Sequence, residues 1–170
     1  MALIKAYAGH LPNISPTAWV AENATIVGEV EIGAQSNIWY GAVLRGDVGA
    51  IQIGERVSIQ DLVMLHCTLN YSQTQIGNDV VVGHGAVLHG CQIESEVLIG
   101  MNATVLDHAY IPSHTIVAAQ ALVPEGKRLE PGFIYAGVPA KKHKPISPQQ
   151  IEGIKRSALH YVAYANEHAK

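Results

Sequence analysis

Phenylalanine occurs once in 170 residues, cysteine twice, and no stretch approaches the ~18 apolar residues of a membrane span. A membrane-spanning helix is therefore not expected. The two cysteines, Cys67 and Cys91, make no disulfide framework and read as small, buried or half-buried thiols. The opening MALIKAYAGHLP has too short an apolar stretch for a signal peptide, so a cytoplasmic location is the expectation. A formal charge of −3, with no Lys/Arg cluster read along the chain, argues against nucleic acid or an anionic membrane as partner. A chain of this length holds one domain with a substantial core, and a single domain over residues 1–170 is expected.

Against these shortages stand sixteen glycines, and together with the single phenylalanine they hint at a repeat. Counting by six from Ile14 gives Val20, Ile26, Ile32, Ile38 and Leu44. Shorter runs follow at Ile53, Ile59 and Leu65 and at Ile76, Val82 and Leu88. A long one returns at Ile93, Ile99, Val105, Ile111, Val117 and Val123. Four places after these aliphatics, small or β-branched residues recur, among them Ala24, Val30, Ala42, Ala86, Val97 and Ala103. A period of six is too long for a helical stripe. It signals a parallel β-helix, in which each unit buries little alone and stacking builds one core. The pattern resembles the left-handed β-helix of the hexapeptide-repeat family, where three hexapeptides make one triangular coil.

The fold class read from this is an all-β left-handed parallel β-helix with a C-terminal α-helix packed along it. The β-helix is placed at residues 10–124, a linker at 125–146 and the helix at 147–168. Ser147-Pro148-Gln149-Gln150 reads as an N-cap, Pro at N1 and a capping-box Gln, and Ile151, Ile154, Ala158, Tyr161, Val162 and Ala165 recur at helical spacing. Aligning the coils requires a three-residue insertion near Gly49 and a longer loop at 71–75.

The stretch VVGHGAVLHGC sets His84 and His89 five apart, a spacing that puts them together on neither a helix nor a single strand. With three faces labelled a, b and c, Leu44, Leu65 and Leu88 open successive c faces, so Arg45, His66 and His89 form one column at about 4.8 Å spacing. His84 follows Val82 by two and falls on face b, in a column with Asp61. Five residues thus carry the chain around a corner. A b-face histidine completes a c-face site from around that corner or from a neighbouring molecule, and a threefold trimer of prisms supplies such a neighbour. The same register sends Asp61 to meet Arg45 across that interface.

The stretches LRGD (44–47), IQDLVMLH (59–66) and IGNDVVVGHGAVLHGC (76–91) resemble gamma-class carbonic anhydrases and their relatives. The resemblance implies a divalent metal, zinc first with iron(II) or cobalt(II) as alternatives, held by His66 and His89 of one subunit and His84 of the next. It implies that Gln60 hydrogen-bonds the metal's hydroxide, and it matches Arg45, Asp47 and Asp61 to interface and site-lining charges, with Tyr161 a further candidate. The substrates implied are CO2 and bicarbonate. Three neutral imidazoles leave a metal dipositive with open coordination, which lowers the pKa of its water to ~7. One departure is plain: VGAIQIG after the RGD and CTLNYSQTQ after His66 lack the carboxylate of the family's acidic proton-shuttling loop, so proton export is expected to limit turnover.

Other readings stay open from the residues alone. Gln60 also reads as the cap of an outer ladder, Arg45 with Asp61 as an oligomer salt bridge, and the six remaining histidines as structural. A CoA-dependent acyltransferase would use one histidine as general base in a cleft between prisms, but has no need of three convergent ones. A thioesterase-related protein and a non-catalytic metal-bound trimer are the remaining alternatives.

Overall fold

A strand turns alternate side chains to opposite faces, so a hexapeptide with one large aliphatic beside small corner residues buries that aliphatic and bends. In the computed structural model, which describes residues 1–170, this happens at every coil. Leu44, Leu65, Leu88 and Val105 stack in register on one face and Ile38, Ile59, Val82 and Ile99 on the next. All eight side chains are completely buried. Ile32, Ile53, Ile76, Ile93 and Ile111 stack on the third. The pairing between coils is parallel throughout, and the result is the left-handed β-helix with one C-terminal helix.

The corner between faces b and c is built on left-handed backbone. Gly41, Leu62, Gly85, Asn102 and Gln120 occupy it on successive coils with φ of 68°, 60°, 68°, 56° and 60°. Gly85 is the residue that turns the chain between His84 and His89, and glycine takes that conformation without a Cβ clash.

Two excursions interrupt the regular coils. Gly28 pairs with Gly46 but Val30 with Ile51, so two positions on one coil face five on the next, and the three-residue insertion lies at Asp47–Ala50. The second begins earlier than the expected 71–75. Thr74–Ile76 is already a strand paired with Ile51–Ile53, which leaves 67–73 as the loop. Thr74 is pinned because its buried hydroxyl donates to the His66 carbonyl at 2.9 Å and accepts from the Gly90 amide at 2.9 Å.

Residues 125–146, expected as linker, contain more of the prism. Phe133–Ala136 pairs in parallel with Ile116–Val117, and Lys141–Pro145 then runs antiparallel beside it. The count of six in fact continues past Val123 to Leu129 and Tyr135, both buried. At the other end Leu3–Lys5 pairs with Thr25–Val27, so the stack also begins before residue 10. The strand Lys141–Pro145 corrects the charge reading as well, since Lys141, Lys142 and Lys144 lie together on one exposed strand. Lys142 is occupied by Glu130 at 2.6 Å and by the Phe133 ring at 4.1 Å.

The helix Pro148–His168 carries the expected capping box, Ser147 with Gln150, and buries Ile154, Ala158 and Ala165 against face b. Its last turn enters an aromatic cluster in which His168 Nδ1 lies 2.9 Å from the Tyr40 hydroxyl and its ring packs on Trp19 and Trp39. No helix is long and apolar enough to cross a membrane. Truncating Ile99, fully buried inside the prism, to alanine is expected to cost about 2–5 kcal/mol in urea unfolding. Leu159→Ala, on the exposed side of the helix, should change stability by less than about 0.5 kcal/mol.

Candidate metal centre

Column stacking brings the histidines of face c together. His66 and His89 are register partners, their ring centroids are 5.1 Å apart, and His66 Nδ1 lies 3.2 Å from His89 Nε2. Arg45 sits one coil earlier in the same column, its guanidinium 3.3 Å from His66 Nδ1. The nitrogens turned away from this meeting point are both engaged by carboxylates. His66 Nε2 is 3.1 Å from Asp47, and His89 Nδ1 is 3.0 Å from Asp107. The Asp47–Ala50 insertion is what brings Asp47 back over the column, where its second oxygen accepts from Arg45 at 2.6 Å.

The electrostatics follow from this packing. Burial, helped by the positive charge of Arg45, holds His66 below the ordinary imidazole range against the opposing pull of Asp47. Although burial pushes Asp47 up, hydrogen bonds from Arg45 and His66 and the Arg45 charge hold it below the usual carboxylate range. Asp107 is likewise raised by burial and more than compensated by Ser72, His89 and Thr68. A neutral imidazole that donates one N–H to a carboxylate presents a bare lone pair from its other nitrogen. Two such lone pairs facing at 3.2 Å repel unless a proton or a cation lies between them. Two nitrogens bound to one tetrahedral metal at ~2.0–2.1 Å stand about 3.3 Å apart, so the pair fits such an ion.

His84 does not join them within one chain. It lies around the corner on face b, half exposed, with Nδ1 2.8 Å from Asp61. Gln60, buried beside it, accepts from the His84 amide at 3.2 Å, and Tyr161 on the helix reaches the Gln60 side chain. Burial, with the nearby Asp61 charge, pushes the Tyr161 hydroxyl up. The candidate residues thus form two half-sites: Arg45, Asp47, His66 and His89 on face c, and Gln60, Asp61, His84 and Tyr161 on face b. No group of three or more His, Cys, Asp or Glu side chains in one chain could hold a metal. Arg45 and Asp61, expected to meet across an interface, each have a partner inside the chain, Asp47 and His84. A cavity of about 770 Å³ is lined by Asp47, Ser72 and Gly90 but by neither His66 nor His89.

Asp107 was not legible as a site residue from spacing alone. The signal was positional: the pairing of Leu88 with Val105 puts Asp107 one coil beyond Gly90, beside His89.

No family model matches the chain. Over 149 residues it is 46% identical to the Methanocaldococcus jannaschii protein "Probable carbonic anhydrase", covering 88% of this chain and 93% of that one. The chain belongs to the gamma carbonic anhydrase family and its hexapeptide-repeat relatives. Escherichia coli YrdA, in the same family, is 37% identical over 172 residues, covering 98% of this chain and 94% of its own. Gamma carbonic anhydrase 1, mitochondrial, of Arabidopsis thaliana is 40% identical over 163 residues, 93% of this chain, but the chain spans only 59% of that relative's length. Among solved structures, a hexapeptide transferase family protein from Anaplasma phagocytophilum superposes with a TM-score of 0.93 at 37% identity, covering 97% of each chain.

Cys67 and Cys91 flank the two face-c histidines in sequence, and both are buried. Burial pushes the Cys67 thiol up and takes Cys91 up to about 12. An unfolded thiol ionises near pH ~8.5. Between there and about 12 the unfolded chain loses a proton that the folded chain keeps, so stability falls as pH rises. A decline of about 1 kcal/mol per pH unit above pH ~9, reduced in Cys91→Ala, is expected in unfolding titrations. Below pH ~8.5 this contribution is fully present, and neither native thiol should react with a thiol reagent at pH ~8.

Proposed function

We propose that the chain assembles as a threefold homo-oligomer in which His66 and His89 of one subunit and His84 of the next hold a divalent metal, zinc in the first instance, and that it interconverts CO2 and bicarbonate. The observation that carries this is the placement of the three imidazoles. Each has one nitrogen against a carboxylate, Asp47, Asp61 or Asp107, and in the tautomer that donates there the other nitrogen carries the lone pair a metal needs. Metal-ligating histidines in general are held in this way. Family membership with proteins named as gamma carbonic anhydrases supports the reaction.

A metal held there supplies Lewis acidity that brings the pKa of a water molecule to ~7. The chain's own residues supply the rest. Arg45 and Asp47 keep charge and orientation fixed around His66. Gln60, whose side-chain oxygen accepts from the His84 amide, keeps its amide beside the face-b imidazole to orient a reacting oxygen. Val43, Met64 and Val87 stand two residues before Arg45, His66 and His89 on the same outward face and are half-buried, an apolar strip suited to CO2 and to a neighbouring prism. With no carboxylate in 48–54 or 67–75 to export the proton, turnover should rise with the concentration of added imidazole buffer.

Subunit mixing tests the shared site. His84→Ala keeps the His66/His89 half-site, and His66→Ala/His89→Ala keeps only His84, so each homo-oligomer should be metal-poor and inactive. Unfolding, mixing and refolding the two at equal amounts leaves about one interface in four with all three ligands. Zinc content and CO2-hydration activity should recover to about that fraction of wild type. A mixture as metal-poor as its parents, with exchange verified by differently tagged chains, would rule out the shared site. Metal without hydration activity would remove the carbonic anhydrase reaction while keeping the metal.

A further inference from the structure

Asp107 is the carboxylate of the metal centre that sits outside the columns of the three histidines' own motifs, and the structure commits several other residues to placing it. Both of its oxygens lie within hydrogen-bonding distance of His89 Nδ1, at 3.1 and 3.0 Å. Oδ1 also accepts from the Ser72 hydroxyl, and Oδ2 accepts from the Thr68 hydroxyl at 3.2 Å. The Ser72 hydroxyl in turn accepts from the Thr68 amide at 2.9 Å, which closes the 67–73 loop on itself. Asp107 is 15% exposed and Ser72 is buried. Gly90 completes the arrangement: its φ is +59°, and a Cβ there would overlap both Asp107 Oδ1 and the Ser72 hydroxyl. The loop that lengthens the coil after His66 therefore reaches over to the carboxylate that holds His89, and glycine at 90 leaves the room.

Accepting from Nδ1 has a chemical consequence. A neutral imidazole carries one proton on either nitrogen, and a carboxylate on Nδ1 places it there, which frees the Nε2 lone pair. Nε2 is the His89 atom that faces His66. Without Asp107 the ring is free to carry its proton on Nε2, pointed at the metal position, and to rotate. We propose that Asp107, clamped by Ser72 and Thr68, is the positioning residue that fixes the tautomer and orientation of His89, and that the 67–73 loop serves the metal centre through it. Asp107 touches neither substrate nor metal in this arrangement. It does for His89 what Asp47 does for His66, but without an arginine sharing the carboxylate, so its effect passes through one imidazole.

The proposal rests on the metal-holding reading of His66 and His89, and two measurements keep them separable. The first is the nitrogen-15 and proton NMR signature of His89 in the metal-free 170-residue chain, which reports the tautomer with no metal present. Wild type should show Nδ1–H, and Asp107→Asn and Asp107→Ala should lose that single state. The second is zinc affinity by competition with a chromophoric chelator, where both variants should bind about 10–100-fold more weakly than wild type, the usual effect of removing such a partner. Ser72→Ala, which keeps the carboxylate but loosens it, should fall between. Circular dichroism and the melting temperature show whether each variant is folded, and Ser72→Ala carries the test if either Asp107 variant is not. Wild-type zinc binding with unchanged affinity and unchanged His89 tautomer in the folded variants overturns the positioning role and leaves the metal. A wild-type chain with the Nδ1–H tautomer that shifts on substitution, yet binds no zinc, keeps the positioning role and removes the metal.

Discussion

Parallel stacking of coils at about 4.8 Å is the constraint on which everything else here depends. It makes residues one coil apart neighbours whatever their distance in sequence, so His66 and His89, 23 positions apart, are register partners. The aliphatic ladder inside the prism enforces that spacing, because a slip by one residue would turn every Leu and Ile outward. The histidines outside are thus positioned by a core they do not touch. Rigidity of this kind suits a site whose ligands must hold to a few tenths of an ångström.

Regular coils alone would not make the centre. A perfect hexapeptide prism offers columns of outward side chains but no way to bring a second layer of polar groups over them. The two excursions, Asp47–Ala50 and 67–73, do this at the edge of face c: one returns Asp47 to His66 and Arg45, the other brings Thr68 and Ser72 to Asp107. Both leave the buried ladder intact, since Ile51–Ile53 and Thr74–Ile76 resume pairing immediately afterwards. The departures from periodicity and the chemistry coincide in place.

What the sequence made legible divides along the same line. Leu44, Leu65 and Leu88 open successive c faces once the insertion near Gly49 and the loop after His66 are allowed for, and from them the column of Arg45, His66 and His89 follows by counting; so does the separate face of His84. The insertion near Gly49 was visible because the count fails there by three. Asp107, Ser72 and Thr68 were not visible, because hydrogen bonds across an irregular loop have no period, and a carboxylate after an aliphatic in a hexapeptide looks like any solvated corner. The far end of the prism is masked in the sequence for a different reason. Leu129 and Tyr135 keep the count of six, but Pro124, Gly126, Pro131 and Gly132 around them read as linker chemistry, and the last coil uses those residues as its corners. Lys141, Lys142 and Lys144, interrupted only by His143, become one basic strand once the chain folds back along Phe133–Ala136.

That basic strand has a meaning beyond charge. A parallel solenoid presents at its last coil a row of unpaired backbone donors and acceptors with the right spacing to accept another strand, so an uncovered prism is a template on which further chains could add without limit. Lys141–Pro145 reverses direction against Phe133–Ala136 and brings Lys141, Lys142, Lys144 and Pro145 to the outermost edge. The proline withholds an amide donor, and the lysines would have to be stripped of water and brought against like charges for a second copy to dock there. Addition of a further strand at that edge of the prism is thereby disfavoured.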